Sequence, residues 1–238
     1  MQYNIVIGYD NGIPIISHTA HQSILECSSV PVNVLYLNRK HLPMYTRPRT
    51  LFESTEFSMT RFLTPYLFDY KGWTLFLDND VIVNSDIKEL FDYRSDKYAV
   101  MCVKHNQRVT STTKFLNEIQ TPYACKNWSS VMLFNNEKCK ALSPDYVNTA
   151  EGFELHQFKW LESLDLVGDL PVEWNYLVDN LNETVDGNMF SNRNVPKLFH
   201  YTNGGPYYKQ YENCGWKNKW IEIYHKLLKW KGDCDYVL

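Results

Sequence analysis

The feature that most constrains this chain is an apolar run that ends abruptly in two carboxylates. Trp73–Leu77 has no polar interruption except Thr74, and Asp78 and Asp80 follow it directly. Its length and its aromatic and branched residues predict a buried β-strand. Two acidic groups at the end of such a strand lose hydration unless a positive partner neutralises them. A divalent cation that carries a diphosphate is one such partner, because carboxylate oxygens suit Mg²⁺ and Mn²⁺.

The spacing of these carboxylates is a weak signal by itself. Asp233 and Asp235 repeat it in a polar segment that follows no apolar strand. The alternative role for Asp78 and Asp80 is a pair of turn residues or helix caps ahead of Asp86. The apolar flanks on both sides favour the metal site.

The N-terminal residues predict the start of a parallel α/β sheet. Tyr3–Gly8 and Val32–Leu37 read as short buried strands, and Pro14–Glu26 between them reads as a helix. Ligands of such sheets gather at the carboxyl ends of the strands. Asp10 and Asn11 follow the first strand at such an end.

The rest of the chain predicts more strands and helices and an irregular second half. There is no internal repeat and no low-complexity linker, so one α/β domain is expected. The further strands are expected at Tyr98–Val103, at Ser130–Phe134 and near Lys197–Phe199, and the further helices over Phe57–Phe68, Phe153–Leu161 and Trp216–Trp230.

Composition narrows the classes of partner. The 24 basic and 27 acidic side chains give a net charge of −3, which is too balanced for a protein that neutralises many nucleic-acid phosphates. Aromatic residues make up 15% of the chain, and their rings can form platforms for sugars or bases. The six cysteines form no C-x-x-C pair, and no stretch approaches the ~20 apolar residues of a membrane helix. A reducing, cytoplasmic location is therefore expected.

His200 ends a second apolar segment, Val195–Phe199, and is soon followed by Gly204 and Gly205. A histidine at a strand end can offer a ring nitrogen to a metal, and glycine N–H groups can approach a phosphate closely. Taken alone, the histidine is more often a hydrogen-bonded structural residue and the glycines a turn.

Together and in this order, these segments resemble the family 8 glycosyltransferases and their GT-A-fold relatives. The resemblance implies a single α/β domain of the GT-A type, with a Rossmann-like mixed central sheet flanked by helices. The resemblance extends from Ile5 to about Tyr208, and its most specific part is the strand that ends in D-x-D. The matching segments are Ile5–Asn11, Ser58–Phe62, Leu75–Val83, Asn127–Asn135 and His200–Gly205.

The resemblance implies a divalent metal, Mn²⁺ or Mg²⁺, held by Asp78, Asp80 and His200. Through that metal the two aspartates take a catalytic role. The first aspartate would also lie near the ribose of the donor nucleotide. Asn79, between the two, is implied to be a donor-binding residue.

The resemblance also implies where the donor nucleotide lies. Tyr9 and Asp10 are placed near the base, and Arg61 beside the diphosphate or the donor sugar. Gly204 and Gly205 are placed against the phosphates. Each of these residues stands in a segment that matches the family's pattern.

Three positions keep alternative interpretations. Gln157 matches the polar residue beneath the anomeric carbon, but its segment is also typical of a helix that packs its core face. Arg61 could instead form a surface pair with Glu53 or Glu56. Lys209 stands later than the family's phosphate-binding lysine, so a phosphate contact by it is doubtful.

The function implied is metal-dependent transfer of a hexose, with retention, from a nucleoside-diphosphate sugar of the UDP type to a hydroxyl of a glycan or glycoconjugate. Residues 1–104 would be the half that binds the nucleotide sugar, and residues 105–238 the acceptor-side half with the C-terminal helix. A sugar-phosphate nucleotidyltransferase is one alternative, although Tyr9–Gly12 lacks the basic Gly-rich loop of that class. A non-catalytic glycan-binding module is the other.

Two segments suggest contacts with an acceptor. Leu170–Tyr176 combines aromatic and amide side chains, and Trp174 in it is expected to stack on a sugar ring. Trp216–Trp230 is aromatic and basic, so it could lie on an anionic membrane surface. A terminal helix docked on the domain with a solvated lysine face is the alternative.

Overall fold

The strand that ends in Asp78 lies inside a six-stranded mixed sheet. The computed structural model describes residues 2–50, 53–105, 125, 127–179 and 195–228. The nine strands in this part of the chain are β1 (Tyr3–Tyr9), β2 (Val32–Asn38), β3 (Trp73–Leu77), β4 (Val81–Val83), β5 (Val100–Cys102), β6 (Val131–Asn135), β7 (Val167–Asp169), β8 (Tyr176–Leu177) and β9 (Leu198–His200). The order in the large sheet is β2-β1-β3-β6-β5-β7.

The directions of these strands create a polar edge around Asp78. Strand β1 is parallel to both β2 and β3, so the carboxyl ends of all three meet at one edge. Strand β6 is antiparallel to β3 with Val131 opposite Leu77, so the amino end of β6 lies there too. The Asp78 N–H accordingly donates to the Ser130 carbonyl at 2.8 Å.

A second, three-stranded sheet brings His200 to the same place. Its order is β4-β9-β8, with β4 antiparallel to β9 and β8 parallel to β9. Val81 is opposite His200 in this pairing, and the Tyr201 N–H donates to the Asp80 carbonyl at 2.9 Å. The histidine therefore lies beside Asp80 although 119 residues separate them in the chain.

The helices begin where the sequence supplies a proline or a cap. Pro14 starts α1, Asp86 caps α3 by accepting the Lys88 N–H, and Ser143 caps α4 by accepting the Tyr146 N–H. Within the described residues the six α-helices are α1 (Pro14–Cys27), α2 (Thr64–Leu67), α3 (Ile87–Phe91), α4 (Pro144–Thr149), α5 (Gly152–His156) and α6 (Lys217–Leu228).

Both faces of the large sheet are covered. Val6 and Phe76 point into one apolar cluster, which includes Phe57 and Phe62. Their neighbours along the strands, such as Leu75, point into the opposite cluster, which includes residues of α1. Because nearly all residues of β3 and β6 are buried, whichever face they point to, these central strands are mostly apolar rather than alternating.

Two predicted helices are wrong in extent. The segment Phe57–Phe68 is a 3₁₀ turn over Thr60–Leu63 followed by the four-residue α2, and Pro65 at the start of α2 has no N–H for a continuous helix. The predicted helix Phe153–Leu161 ends at His156. Phe158 has a left-handed φ of 57°, which places its ring in the core.

The other predicted elements are confirmed to within a few residues, and the short β7, β8, α3 and α4 were not predicted. The mixed sheet flanked by helices in one domain is confirmed as well. The large sheet takes strands from both sides of residue 104, and the proposed division there stays a prediction.

Helix α6 is docked on the domain, as the second interpretation of this segment expected. Trp220 and Ile223 are buried, and Lys226 pairs with Glu26 of α1 at 3.2 Å. Residues 229 and 230 of the predicted helix lie outside the described part of the chain. No helix in the described part has the length and apolar character needed to cross a membrane.

Candidate active site

Three potential metal ligands meet at the edge shared by the two sheets. One carboxylate oxygen each of Asp78 and Asp80 and one ring nitrogen of His200 all lie within 4.8 Å of one another. The His200 Nε2 is 3.3 Å from the Asp80 Oδ1. His200 is only 2% exposed, whereas both aspartates are half-buried and accessible from the edge. Two carboxylates and one imidazole form a donor set that suits a divalent cation.

Arg61 is a member of this cluster rather than a surface residue. Its Nη1 lies 2.7 Å from the Asp78 Oδ1 and donates to the Ser129 carbonyl at 2.9 Å. The guanidinium carbon lies about 5 Å from the centroids of the Phe57 and Phe76 rings. The alternative of a surface ion pair is wrong, because Arg61 is 5% exposed and pairs with Asp78. Its contact with a diphosphate stays a prediction.

Asn79 lies between the two aspartates in the turn after β3. It is buried, and its Nδ2 donates to the Ser17 Oγ at 3.4 Å, while that hydroxyl donates to the Gly8 carbonyl at 3.0 Å. The side chain of Asn79 thus ties the Asp78 turn to the first residues of α1. The predicted role of Asn79 in donor binding stays a prediction.

The segment after β7 holds a residue that the sequence analysis did not single out. The Asn175 Oδ1 lies 2.9 Å from the His200 Nδ1, and Asn175 is fully buried. Trp174 is fully buried too, beneath the Lys197 ammonium, so the predicted stacking of Trp174 on an acceptor sugar is wrong. The run of adjacent aromatic and amide groups was the only feature of the sequence that pointed to this segment. Of these groups, the Asn175 amide makes the contact with His200.

The nucleoside end of the predicted site is aromatic. The Tyr9 ring contacts Tyr36 at 5.4 Å and His18 at 6.0 Å between centroids. The Tyr36 hydroxyl lies 3.0 Å from the His18 Nδ1 and 2.8 Å from the His21 Nδ1. Burial, with a smaller contribution from Tyr9, raises the pKa of Tyr36 to about 12, so its hydroxyl stays neutral.

The turn after β1 is fixed by its own polar groups. Asp10 Oδ1 accepts the Gly12 N–H at 2.8 Å. The Asn11 N–H donates to the Glu56 Oε2 at 3.1 Å, and the Asn11 amide exchanges hydrogen bonds with the Asn38 amide. Tyr9 and Asp10 therefore start a defined turn at the edge where Asp78 lies.

The glycines after His200 form a tight turn. The Gly204 N–H donates to the Tyr201 carbonyl at 2.8 Å, and its φ of +113° together with the adjacent Tyr211 ring leaves no room for a side chain. Gly205 packs on the Tyr207 ring in the same way. Phosphate contact by Gly204 and Gly205 stays a prediction.

Two side chains beyond this turn differ in their relation to the metal ligands. Burial, with the Asp80 carboxylate as a smaller cause, raises the pKa of Tyr207. The charge of Asp80 thus acts on the Tyr207 hydroxyl. Lys209 is exposed in a 3₁₀ turn, Lys209–Tyr211, in keeping with the doubt about its phosphate contact.

Gln157 lies just after α5, where its N–H donates to the Phe153 carbonyl at 2.9 Å. Its neighbour His156 is the one connected to the cluster, because the His156 Nδ1 lies 2.7 Å from the Ser129 Oγ. Ser129 in turn accepts the hydrogen bond from Arg61. The role of Gln157 at the donor sugar stays a prediction.

With this geometry in place, the chain can be compared with known proteins. The sequence pattern described as glycosyl transferase family 8 matches residues 17–207. The chain belongs to glycosyl transferase family 8. Protein CDI of Arabidopsis thaliana is 41% identical to it over 97% of this chain and 90% of its own length.

Solved glycosyltransferases share the fold. The apo structure of the bifunctional WbbM aligns with 96% of this chain at a TM-score of 0.64 and 16% identity. The galactosyltransferase LgtC, solved with donor and acceptor sugar analogues, aligns with 94% of this chain and 95% of its own at a TM-score of 0.57 and 11% identity. This chain spans about half the length of WbbM.

The family 8 resemblance and the GT-A fold are therefore confirmed. The enzyme class is confirmed with them, because the family is one of glycosyltransferases. The Asp78-x-Asp80 cluster fits the family's D-x-D pattern.

Proposed function

We propose that this family 8 chain transfers a hexose from a nucleoside-diphosphate sugar of the UDP type to a hydroxyl group of a glycan or glycoconjugate. The observation that carries the proposal is the convergence of Asp78, Asp80 and His200, whose ligand atoms lie within 4.8 Å of one another at the carboxyl edge of the sheet. Sugar donors of this class bring a diphosphate, and a divalent cation is the usual link between carboxylates and a diphosphate.

The residues fit such a cation. Two hard carboxylate oxygens and one imidazole nitrogen suit Mn²⁺, with Mg²⁺ as the second choice. When bound, the cation supplies positive charge for the departing nucleoside diphosphate, which then leaves without a proton. Arg61 balances the charge of Asp78, so the cluster with its arginine is less negative than two free carboxylates.

The chain's own residues would bind and orient the donor. Tyr9 offers an aromatic face and Asp10 a fixed turn for the base, and the Gly204–Gly205 turn lets the backbone approach the phosphates. Retention is the stereochemistry that the family resemblance implies. The acceptor side lies in the second half of the chain, and the LgtC structure with donor and acceptor analogues supports a two-substrate site.

Thermal unfolding with and without ligands tests the proposal against its rivals. We expect UDP with Mn²⁺ to raise the melting temperature by about 5–10 °C at 100 times its dissociation constant, and UDP without metal to do much less. Stabilisation by oligosaccharide alone would indicate a glycan-binding module. Formation of a nucleotide sugar from a nucleoside triphosphate and a sugar phosphate would indicate the nucleotidyltransferase.

The Asp80→Ala substitution tests the metal cluster itself. It removes one ligand and should reduce Mn²⁺-dependent transfer, or donor hydrolysis, at least about 100-fold, which is about 2.7 kcal/mol of transition-state stabilisation. Asp92→Ala is the matched control, because Asp92 lies in a surface pair with Lys88. Full metal-dependent activity in the Asp80→Ala variant would refute the proposal.

A further inference from the structure

We infer that Asn175 is a positioning residue that holds His200 in the ring tautomer whose Nε2 carries no proton. This inference rests on the proposed function for its purpose, since a bare Nε2 is what a metal ligand needs. The role of Asn175 acts through His200 and not through contact with the metal itself.

The contact between Asn175 and His200 is closed to water. Asn175 is 0% exposed and His200 2% exposed, and the Oδ1 to Nδ1 distance is 2.9 Å. No bulk water reaches the pair to replace a lost hydrogen bond. The side chain at position 175 therefore decides which ring nitrogen of His200 carries the proton.

The orientation of the Asn175 amide follows from its other partners. Its Nδ2 lies 2.9 Å from the Ser130 Oγ and 3.4 Å from the Asn127 carbonyl oxygen. The Ser130 hydroxyl donates to that same carbonyl at 2.7 Å, so its lone pairs are left to accept. A flipped amide would place Oδ1 against a carbonyl that can only accept. The Nδ2 therefore faces Ser130, and the Oδ1 faces His200.

An amide oxygen only accepts, so the His200 Nδ1 must be the donor. The proton of the neutral ring is then on Nδ1, and the Nε2 lone pair points toward the Asp80 Oδ1, 3.3 Å away. A lone pair facing a carboxylate oxygen is unfavourable without a cation between them. The buried amide thus keeps the proton of a neutral ring on Nδ1 and leaves the Nε2 lone pair for a metal.

Strand pairing keeps this arrangement rigid. β8 begins at Tyr176, directly after Asn175, and is parallel to β9 with Leu177 opposite His200. Trp174 on the other side of Asn175 is fully buried. The asparagine is therefore fixed from both sides at the level of the histidine.

The test uses the full chain and two readouts, neither of which is activity. The first is the ring ¹⁵N spectrum of His200, identified by its loss in His200→Gln, which reports the tautomer directly. The second is the dissociation constant of Mn²⁺ alone, measured from the signal of the free ion. The variants are Asn175→Leu, which removes the acceptor, and Asn175→Asp, which keeps one.

Asn136→Leu is the matched control for burial. Asn136 is also fully buried, and its Nδ2 donates to the Thr74 Oγ1 at 2.8 Å and to the Lys71 carbonyl at 2.9 Å. These hydrogen bonds join Asn136 to residues other than Asp78, Asp80 and His200. Asn136→Leu should therefore lower the melting temperature and leave Mn²⁺ binding unchanged. A purely structural role for Asn175 would give the same pattern.

We expect the Nδ1–H form of His200 in the wild-type chain. Asn175→Leu should move the ring toward the Nε2–H form and weaken Mn²⁺ binding about 10–100-fold, and Asn175→Asp should restore the binding to within about threefold of wild type. An Nε2–H ring in the wild-type chain would overturn the inference even if Asn175→Leu does not fold. Unchanged tautomer and affinity in a folded Asn175→Leu variant would overturn it too.

Failure of the proposed function has a different signature. A wild-type chain that shows the Nδ1–H ring but no binding of Mn²⁺ or UDP would contradict the transferase. The tautomer would still support the positioning role of Asn175.

Discussion

The metal end and the nucleoside end of the candidate site are built in different ways. At the metal end, Arg61 and His200 are nearly inaccessible to water, and their polar partners come from segments far away in the chain. At the nucleoside end, Tyr9 and Asp10 are half-buried, and Asp10 bonds a residue two positions later. The metal end is thus part of the core, whereas the nucleoside end is a half-buried turn at the edge of the sheet.

This difference predicts how substitutions behave. Removing a group at the metal end leaves a buried charge or a buried polar atom without its partner, so it should reduce stability as well as function. Removing a group at the nucleoside end should weaken ligand binding and leave the fold intact.

The largest effect is expected for Arg61→Met. It leaves Asp78 in a largely buried position without its ion pair, which should cost about 3–5 kcal/mol in the free energy of unfolding measured with urea. Lys71→Met is the matched control, because the pair of Lys71 with Asp69 is fully solvated and its loss should change stability by no more than about 0.5 kcal/mol. Equal costs for the two variants would show that the pair of Arg61 with Asp78 stabilises the fold no more than a solvated surface pair does.

The double variant Arg61→Met with Asp78→Asn refines this measurement. Removing both charges should recover part of the stability lost in Arg61→Met, because no uncompensated carboxylate then remains. A further loss of stability in the double variant would mean that Arg61 acts by packing on Phe57 and Phe76 and not by charge.

An intermediate effect concerns pH. Burial, with a smaller contribution from the charge of His200, lowers the pKa of His105 to about 3. Because the unfolded chain binds this proton below a pKa of about 6.5 and the folded chain does not, stability falls as the pH drops through that range. His105→Gln should remove about 2 kcal/mol of the stability difference between pH 7.5 and pH 5.

The comparison with wild type in urea at the two pH values isolates this histidine, because both proteins share the other titrating groups. An identical pH dependence in both would show that His105 is protonated as easily in the folded state as in the unfolded state.

The smallest effect is expected at the nucleoside end. Tyr9→Ala should weaken UDP binding about tenfold, the order of one base stacked on an aromatic ring, and leave the melting temperature within about 2 °C. Isothermal titration calorimetry in the presence of Mn²⁺ measures the affinity for UDP. Differential scanning calorimetry measures the melting temperature. Tyr93→Ala, at a partly exposed ring on the far end of α3, is the control. A large loss of stability in Tyr9→Ala would place this residue in the core and not at a binding face.

The features that could be predicted from the sequence are those with a local signal. The central strands, α1 and the aspartates at the end of β3 were predictable, because long apolar runs and abrupt polar ends are local signals. The broken helix at Thr60–Leu67 was not, because helical spacing hides the effect of Pro65. The two-residue β8 is too short for any periodic pattern.

Within the site, ligands were easier to predict than the residues that hold them. Asp78, Asp80 and His200 were identified together, and the structure brings them together. The pairing of Arg61 with Asp78 and of Asn175 with His200 could not be read from the sequence, since the partners stand 17 and 25 positions apart and only the packing of the sheets joins them. The cytoplasmic location stays a prediction.

The pairing of β4 with β9 has a consequence for the order of events during synthesis. Asp80 leaves the ribosome long before His200, so a growing chain carries two of its three ligands for most of the time it takes to be made. Because β9 is inserted between β4 and β8, the third ligand arrives only when that strand is in place. Chains truncated before residue 200 should therefore keep the turn after β1 but lack tight binding of Mn²⁺. The affinity for Mn²⁺ is then a marker of completed folding.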